Sequence, residues 1–154
     1  MNRKELQQRT KKFHVDIIKL CGDFPKNAAG FETAKQLIRS AGSVGANYRA
    51  TARAKSNVDF IYKIEIVLEE ADESLYWLEV ANEAEIKTGK EVDRLIDEAN
   101  QLTAIFAATD KTASRTKANQ KSKNHTSDIL CIYNAETVFS VQPIPSGAWL
   151  QKQY

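Results

Sequence analysis

The chain has 154 residues, 42% hydrophobic and 27% charged, with a formal net charge of +2. That composition suits one globular domain with a sizeable core, and no apolar run approaches the ~20 residues of a membrane-spanning helix. Two cysteines, Cys21 and Cys131, stand far apart and outside any Cys-x-x-Cys or Cys/His cluster, so both read as reduced thiols of a cytoplasmic protein. The basic, polar opening "MNRKELQQRTKKF" has no apolar core behind it and does not read as a secretory signal.

In chain order, helical spacing appears first from about Arg3 to Leu20, where Leu6, Phe13, Ile17 and Leu20 form a stripe. "CGDFPKN" stops it, because Gly22 suits a C-terminal cap and Pro25 cannot continue a hydrogen-bonded helix. A second helix is expected over about Gly30 to Ala54, with Phe31, Ala34, Ile38, Ala41, Gly45, Tyr48 and Ala52 as its core stripe. Ser56 reads as the N-cap of a third, with Asp59 three residues on, and Phe60, Ile64, Leu68, Ala71, Leu75 and Leu78 face its core as far as about Ile86. Thr88 and Glu91 repeat the capping-box pattern before a fourth helix carrying Val92, Leu95, Ile96, Ala99, Leu102 and Phe106. Short connections between four amphipathic helices predict an all-α, up-down-up-down four-helix bundle over residues 1–109. Residues 110–154 form a basic, low-complexity linker and extension, expected to be disordered or loosely structured. From Ile129 onward that extension regains strand-like character.

Charge is unevenly distributed. Residues 1–110 hold 16 Lys/Arg against 18 Asp/Glu, whereas residues 111–154 hold 6 against 2. Within the body, residues 31–57 carry +4 and residues 58–87 carry −7. At about 100° per residue, Lys35, Arg39, Arg49 and Arg53 fall in an arc of about 80° beside the apolar stripe of helix two. Glu65, Glu69, Asp72, Glu79 and Glu83 flank the stripe of helix three, so the two helices are expected to pair along a shared edge. Helix three also carries Tyr62, Ile66, Trp77 and Val80 away from its core positions, which reads as a second packing face for self-association. Helix two is rich in small residues, and Gly42 and Gly45 each cost about 1 kcal/mol relative to Ala in a helix interior. Close helix approach would offset that cost.

Nothing points to catalysis. His14 and His125 are the only histidines, and His14-x-Asp16 lacks the i, i+4 spacing that places two metal ligands on one helical face. The helix-three carboxylates have no accompanying Glu-x-x-His. There is no phosphate-binding glycine loop and no nucleophile elbow. A non-enzyme without catalytic residues, metal or cofactor is expected.

"QLIRSAGSVGANYRATARAKSNVDFIYKIEIVLEEADESLYWLEV" resembles the core of the bacterial four-helix bundle family named after the protein encoded in the 23S rRNA intervening sequence. The family's R-S-x-x-S-I/V-x-A-N signature is met by Arg39, Ser40, Ser43, Val44, Ala46 and Asn47. Its S-x-x-D-F element is met by Ser56, Asp59 and Phe60, and its upstream F-P by Phe24 and Pro25. The likeness covers about residues 10–108. It departs at "YRATAR", where many members have an Ile-Ala-Glu-Gly run. The resemblance implies a ring, typically a pentamer. It also implies similarity to the accessory protein of diversity-generating retroelements, which binds a reverse transcriptase and nucleic acid.

Two functions of different class follow. One is an oligomeric nucleic-acid-binding or ribonucleoprotein accessory protein, with a reverse transcriptase as one partner. It would use Lys35, Arg39, Arg49, Arg53, Lys11 and Lys12, together with Arg3, Lys4, Arg9 and the tail lysines. The other is a structural or protein-interaction bundle whose basic stripe is consumed by the acidic helix.

Overall fold

Asn2 begins the bundle. Its side chain accepts from the Glu5 N–H at 2.9 Å while the Glu5 carboxylate accepts from the Asn2 N–H at 2.8 Å, a reciprocal cap that starts α1 (Arg3–Gly22). The other helices in this computed structural model are α2 (Ala28–Ala50), α3 (Asn57–Glu83) and α4 (Lys90–Glu136). A single 3-10 turn, Thr51–Arg53, follows α2. The structure describes residues 1–136 as backbone; the side chain of Cys131 and the whole of 137–154 lie outside the described residues. Met1–Lys117 form one unit and Ala118–Tyr154 a second, in which 118–136 are helical.

Cross-contacts establish the up-down-up-down order. Arg3 at the start of α1 donates to Thr51 Oγ1 just after α2 at 3.2 Å. Asp23 and Lys87, from the α1–α2 and α3–α4 connections, pair at 3.1 Å at the opposite end. Between α1 and α4, Arg9 meets Glu98 and Asp16 meets Arg94, so sequence position rises on one helix as it falls on the other. Tyr48 and Phe106 pack with tilted rings, 5.3 Å between centroids, where α2 and the bundle portion of α4 reach the same end.

The core is the expected one for α1 and α4. Leu6, Phe13, Ile17 and Leu20 are buried against Val92, Leu95, Ala99, Leu102 and Phe106 in one cluster. Each fully buried Leu, Ile or Phe contributes about 1.5–3 kcal/mol. Burial also pushes the Cys21 thiol up to about 12, so it is a core filler with little thiolate at neutral pH.

On α2 and α3 the buried face is turned from the expected one. The inner face of α2 is Gly30, Thr33, Leu37, Ser40, Ala41, Val44 and Tyr48, and Phe31 stands 63% exposed. That of α3 is Ile61, Ile64, Val67, Ala71, Ser74, Leu78 and Ala81, with Phe60, Leu68 and Leu75 packed at its margin. Buried Thr33, Ser40 and Ser74 account for the difference, because apolar spacing passes over them. Ser40 and Ser74 are tolerated inside because they have partners: their hydroxyls lie 3.0 Å apart across the seam.

Two terminal expectations also change. Ser56 does cap α3, accepting from the Asp59 N–H at 3.1 Å. The Thr88–Glu91 box does not form among the described residues: Asp93 N–H donates to the Gly89 carbonyl, so Gly89, at φ +110°, precedes the first residue of α4. Glu91 pairs instead with Arg94. At the far end, α4 runs to Glu136, and 129–136 are helical rather than strand-like. No Gly or Pro occurs between Gly89 and Pro143 to interrupt it. Thr109, Thr112 and Thr116 also donate their hydroxyls to the carbonyls one turn back.

The α1–α2 connection rests on a glycine. A Cβ at Gly30 would stand 2.0 Å from the Pro25 carbonyl oxygen, so the Phe24-Pro25 corner packs straight onto the backbone of α2. Gly30→Ala should therefore destabilise the bundle by about 1–3 kcal/mol or more, although alanine favours helix, because backbone and not a flexible side chain must move. Chemical denaturation of both proteins checks this; unchanged stability would mean that the corner yields freely.

Candidate nucleic-acid interface

The six cations expected to bind phosphate do not form one stripe. Arg39 is held by α3: its guanidinium donates to Glu73 and lies 3.8 Å from Glu70. Lys12 donates to Asp16 at 2.5 Å, and Lys35 stands 3.8 Å from Glu32. Arg53 ends the 3-10 turn, exposed. Lys11 and Arg49, from α1 and α2, line one groove. Of the N-terminal cations, Arg9 grips Glu98 through two bonds at 2.7 and 2.8 Å and Arg3 reaches Thr51, whereas Lys4 joins the groove.

The acidic side of the expected pairing changes as well. Glu65, Glu69, Asp72, Glu79 and Glu83 face solvent, and Glu70 and Glu73 meet Arg39 instead. The shift follows from the turned inner face of α3. Trp77 belongs to this cluster too. Its indole N–H donates to Glu73 at 3.2 Å, and its ring packs against the core rather than standing free. Burial raises the Glu70 carboxyl above the ordinary range; Arg39 opposes the rise and neighbouring Glu73 adds to it. At Asp16 the balance is reversed. Burial alone would raise it, but hydrogen bonds from Lys12 and Arg94 outweigh that and hold it below the ordinary range.

The groove between α1 and α2 has a volume of about 540 Å³ and is lined by Lys4, Gln7, Gln8, Lys11, His14, Gly42, Gly45, Ala46 and Arg49. No acidic side chain contributes to it. Lys4, Lys11 and Arg49 make no ion pair among the described residues, so three uncompensated charges share one cleft. Its floor is recessed because Gly42, Gly45 and Ala46 carry little or no side chain. A Cβ at Gly42 would stand 3.0 Å from the His14 imidazole, so the ring would have to give way to it. His14 Nε2 is buried without a hydrogen-bond partner among the described residues.

Spacing alone could have found this lining. Residues 4, 7, 8, 11 and 14 follow helical spacing along one flank of α1, and 42, 45, 46 and 49 do so on α2. Charge does not point to Gln7 or Gln8, and His14 and Ala46 stand out in the sequence as a histidine without metal spacing and as a signature residue rather than as lining.

The self-association residues are scattered in exposure. Tyr62 is 61% exposed, and Tyr76, which the sequence reading omitted, is 56% exposed; Ile66 and Val80 are half-buried. Among the described residues no group of three or more His, Cys, Asp or Glu converges as metal ligands would, and no helix is long and apolar enough to cross a membrane.

Residues 3–108 match the family model described as 23S rRNA-intervening sequence protein. The chain belongs to that family. A solved relative is similar over the same bundle: a protein of unknown function from the S23 ribosomal protein family of Bacteroides thetaiotaomicron. It is 30% identical, with a TM-score of 0.66, and the match covers 72% of this chain and 99% of that one. No curated protein matches. The signature residues that carried the resemblance take a structural place in this member. Arg39 and Ser40 lie on the α2–α3 seam, one in the Glu70–Glu73 pairing and the other against Ser74.

Charge reversal separates the two kinds of arginine. Arg39→Glu would place a third carboxylate beside Glu70 and Glu73 and should lower the melting temperature, whereas Arg49→Glu should leave it nearly unchanged. Equal effects in thermal melts would contradict this assignment. Glu70 gives a pH test. The folded state keeps its proton to higher pH than the unfolded chain, so its contribution to stability declines as pH rises through and above the ordinary carboxylate range. Glu70→Gln should remove that decline, read as melting temperature against pH.

Proposed function

We propose that this family member is a non-enzymatic, oligomeric RNA-binding bundle, a ribonucleoprotein accessory protein that contacts phosphates through the α1–α2 groove. A reverse transcriptase is a partner class consistent with that role. The observation that carries the reading is the gathering of Lys4, Lys11 and Arg49, none of them ion-paired among the described residues, around a groove without acids. The family description refers to a 23S rRNA intervening sequence and the solved relative to a ribosomal protein family, which favours RNA as the nucleic acid. A purely structural role is the second reading, supported by Arg9, Arg39 and Arg94, whose charges are satisfied within the bundle.

Salt dependence decides between them. Each phosphate neutralised releases condensed counterions, so three groove cations on a single strand predict a slope of log K against log salt of about −2. The lysines beyond Asp110 steepen it. In fluorescence anisotropy, Lys11→Glu with Arg49→Glu should weaken binding about tenfold or more and flatten the slope. Binding undetectable at low salt would leave the structural reading.

Self-association on the exposed α3 face supplies the oligomer. Tyr62, Ile66 and Val80 are its proposed contacts, with Tyr76 beside them and Trp77 anchoring the patch from within. Tyr62→Lys should dissociate the assembly in light scattering without lowering the melting temperature of the bundle. A wild-type monomer at tens of micromolar, where an ordinary interface is populated, would overturn this assignment.

A further inference from the structure

We propose that the α1–α2 groove is one strand wide: it seats the phosphodiester backbone of unpaired RNA and excludes a duplex. This deepens the RNA-binding reading and rests on it. The cleft offers about 540 Å³ in all, room for a short run of one backbone, while a double helix would meet only its rim. Lys4 and Lys11 stand seven residues apart on one wall, ~10 Å along the helix, and Arg49 faces them from the other. Gln7 and Gln8 add neutral donors and acceptors that can meet sugar hydroxyls and base edges. No Phe, Tyr or Trp lines the groove, so contacts run to the backbone and sequence preference is weak.

Two features of the floor suit a ligand. A Cβ at Gly45 would lie 3.7 Å from the Thr10 carbonyl oxygen, an ordinary contact, so packing admits alanine there. The glycine nonetheless forgoes helix propensity, and what it leaves is depth. His14 Nε2, buried against Gly42 without a partner, is the second. Turned out of the floor, the ring could donate an N–H to a phosphate oxygen and gain the partner it lacks.

The test fills the groove without changing its charge. Ala46 is exposed on α2, and Ala46→Leu keeps both helix propensity and every cation. Gly45→Ala raises the floor more gently, and thermal melts with light scattering confirm that each variant remains folded and assembled. The full-length protein is titrated with a fluorescein-labelled oligo-uridylate strand and with an RNA duplex of the same length, and unlabelled uridine monophosphate is added as competitor. The strand is expected to bind about tenfold or more tighter than the duplex, and Ala46→Leu to weaken the strand by a similar factor while leaving duplex binding unchanged. Equal binding of strand and duplex, or full strand affinity in both variants, would overturn the single-strand groove while leaving RNA binding itself in place. Competition by the mononucleotide at strand-like concentrations would also overturn it, in favour of a nucleotide pocket. No binding of either RNA at low salt would remove the RNA-binding reading, and this inference with it.

Discussion

The close approach of α2 to both of its neighbours is the constraint on which the rest depends. On one side Ser40 meets Ser74 at 3.0 Å, and on the other Gly42 lies under the imidazole of His14. At its start, Gly30 lies under the Pro25 carbonyl. Larger residues at Ser40 or Ser74 would force α2 and α3 apart, and a side chain at Gly30 would displace the Pro25 corner. Small residues here trade helix propensity for proximity. A chain with Ala or Leu throughout would make a better isolated helix and a worse bundle.

That proximity decides which charges are free. With α3 drawn in, Glu70 and Glu73 come within reach of Arg39, and Trp77 folds over the same pairing. With α1 drawn in, the backbone seam sinks and the long side chains of Lys4, Lys11 and Arg49 are left as its banks. The same helix thus has a neutralised edge and a charged one. Exposed pairs such as Lys35–Glu32 contribute only about 0–1 kcal/mol each, so stability comes mostly from the core. The charges determine what each surface can meet.

Much of this was legible in the chain itself. The number of helices, the Ser56 cap and the cores of α1 and α4 followed from apolar spacing, because Leu, Ile and Phe dominate those faces. The inner faces of α2 and α3 were less legible because serine and threonine hold core positions there. Their burial depends on a partner across the seam that no single helix reveals. Once Phe31 was counted inward, the whole face turned, and the acids were assigned to the wrong flank. Beyond the bundle, residues 111–136 carry no apolar stripe to mark an inner face, and α4 continues through them with no Gly or Pro between Gly89 and Pro143 to interrupt it. The groove was half legible, since Lys11 and Arg49 were singled out, but not that they would share a cleft.

Formal charge is a poor guide to phosphate binding in a chain of this kind. The bundle is close to neutral, and an account based on net charge would dismiss it. What matters is the difference between a cation with a carboxylate within hydrogen-bond distance and one without. Arg9, with Glu98 in a two-pronged grip and Gln101 at 2.6 Å, would have to surrender those bonds to take a phosphate. Arg49 surrenders none among the described residues. For two arginines of equal charge the net gain on meeting an anion therefore differs by the strength of an existing pair. In a near-neutral bundle, a small set of unpaired cations around a recessed seam can outweigh a longer stripe that is already satisfied.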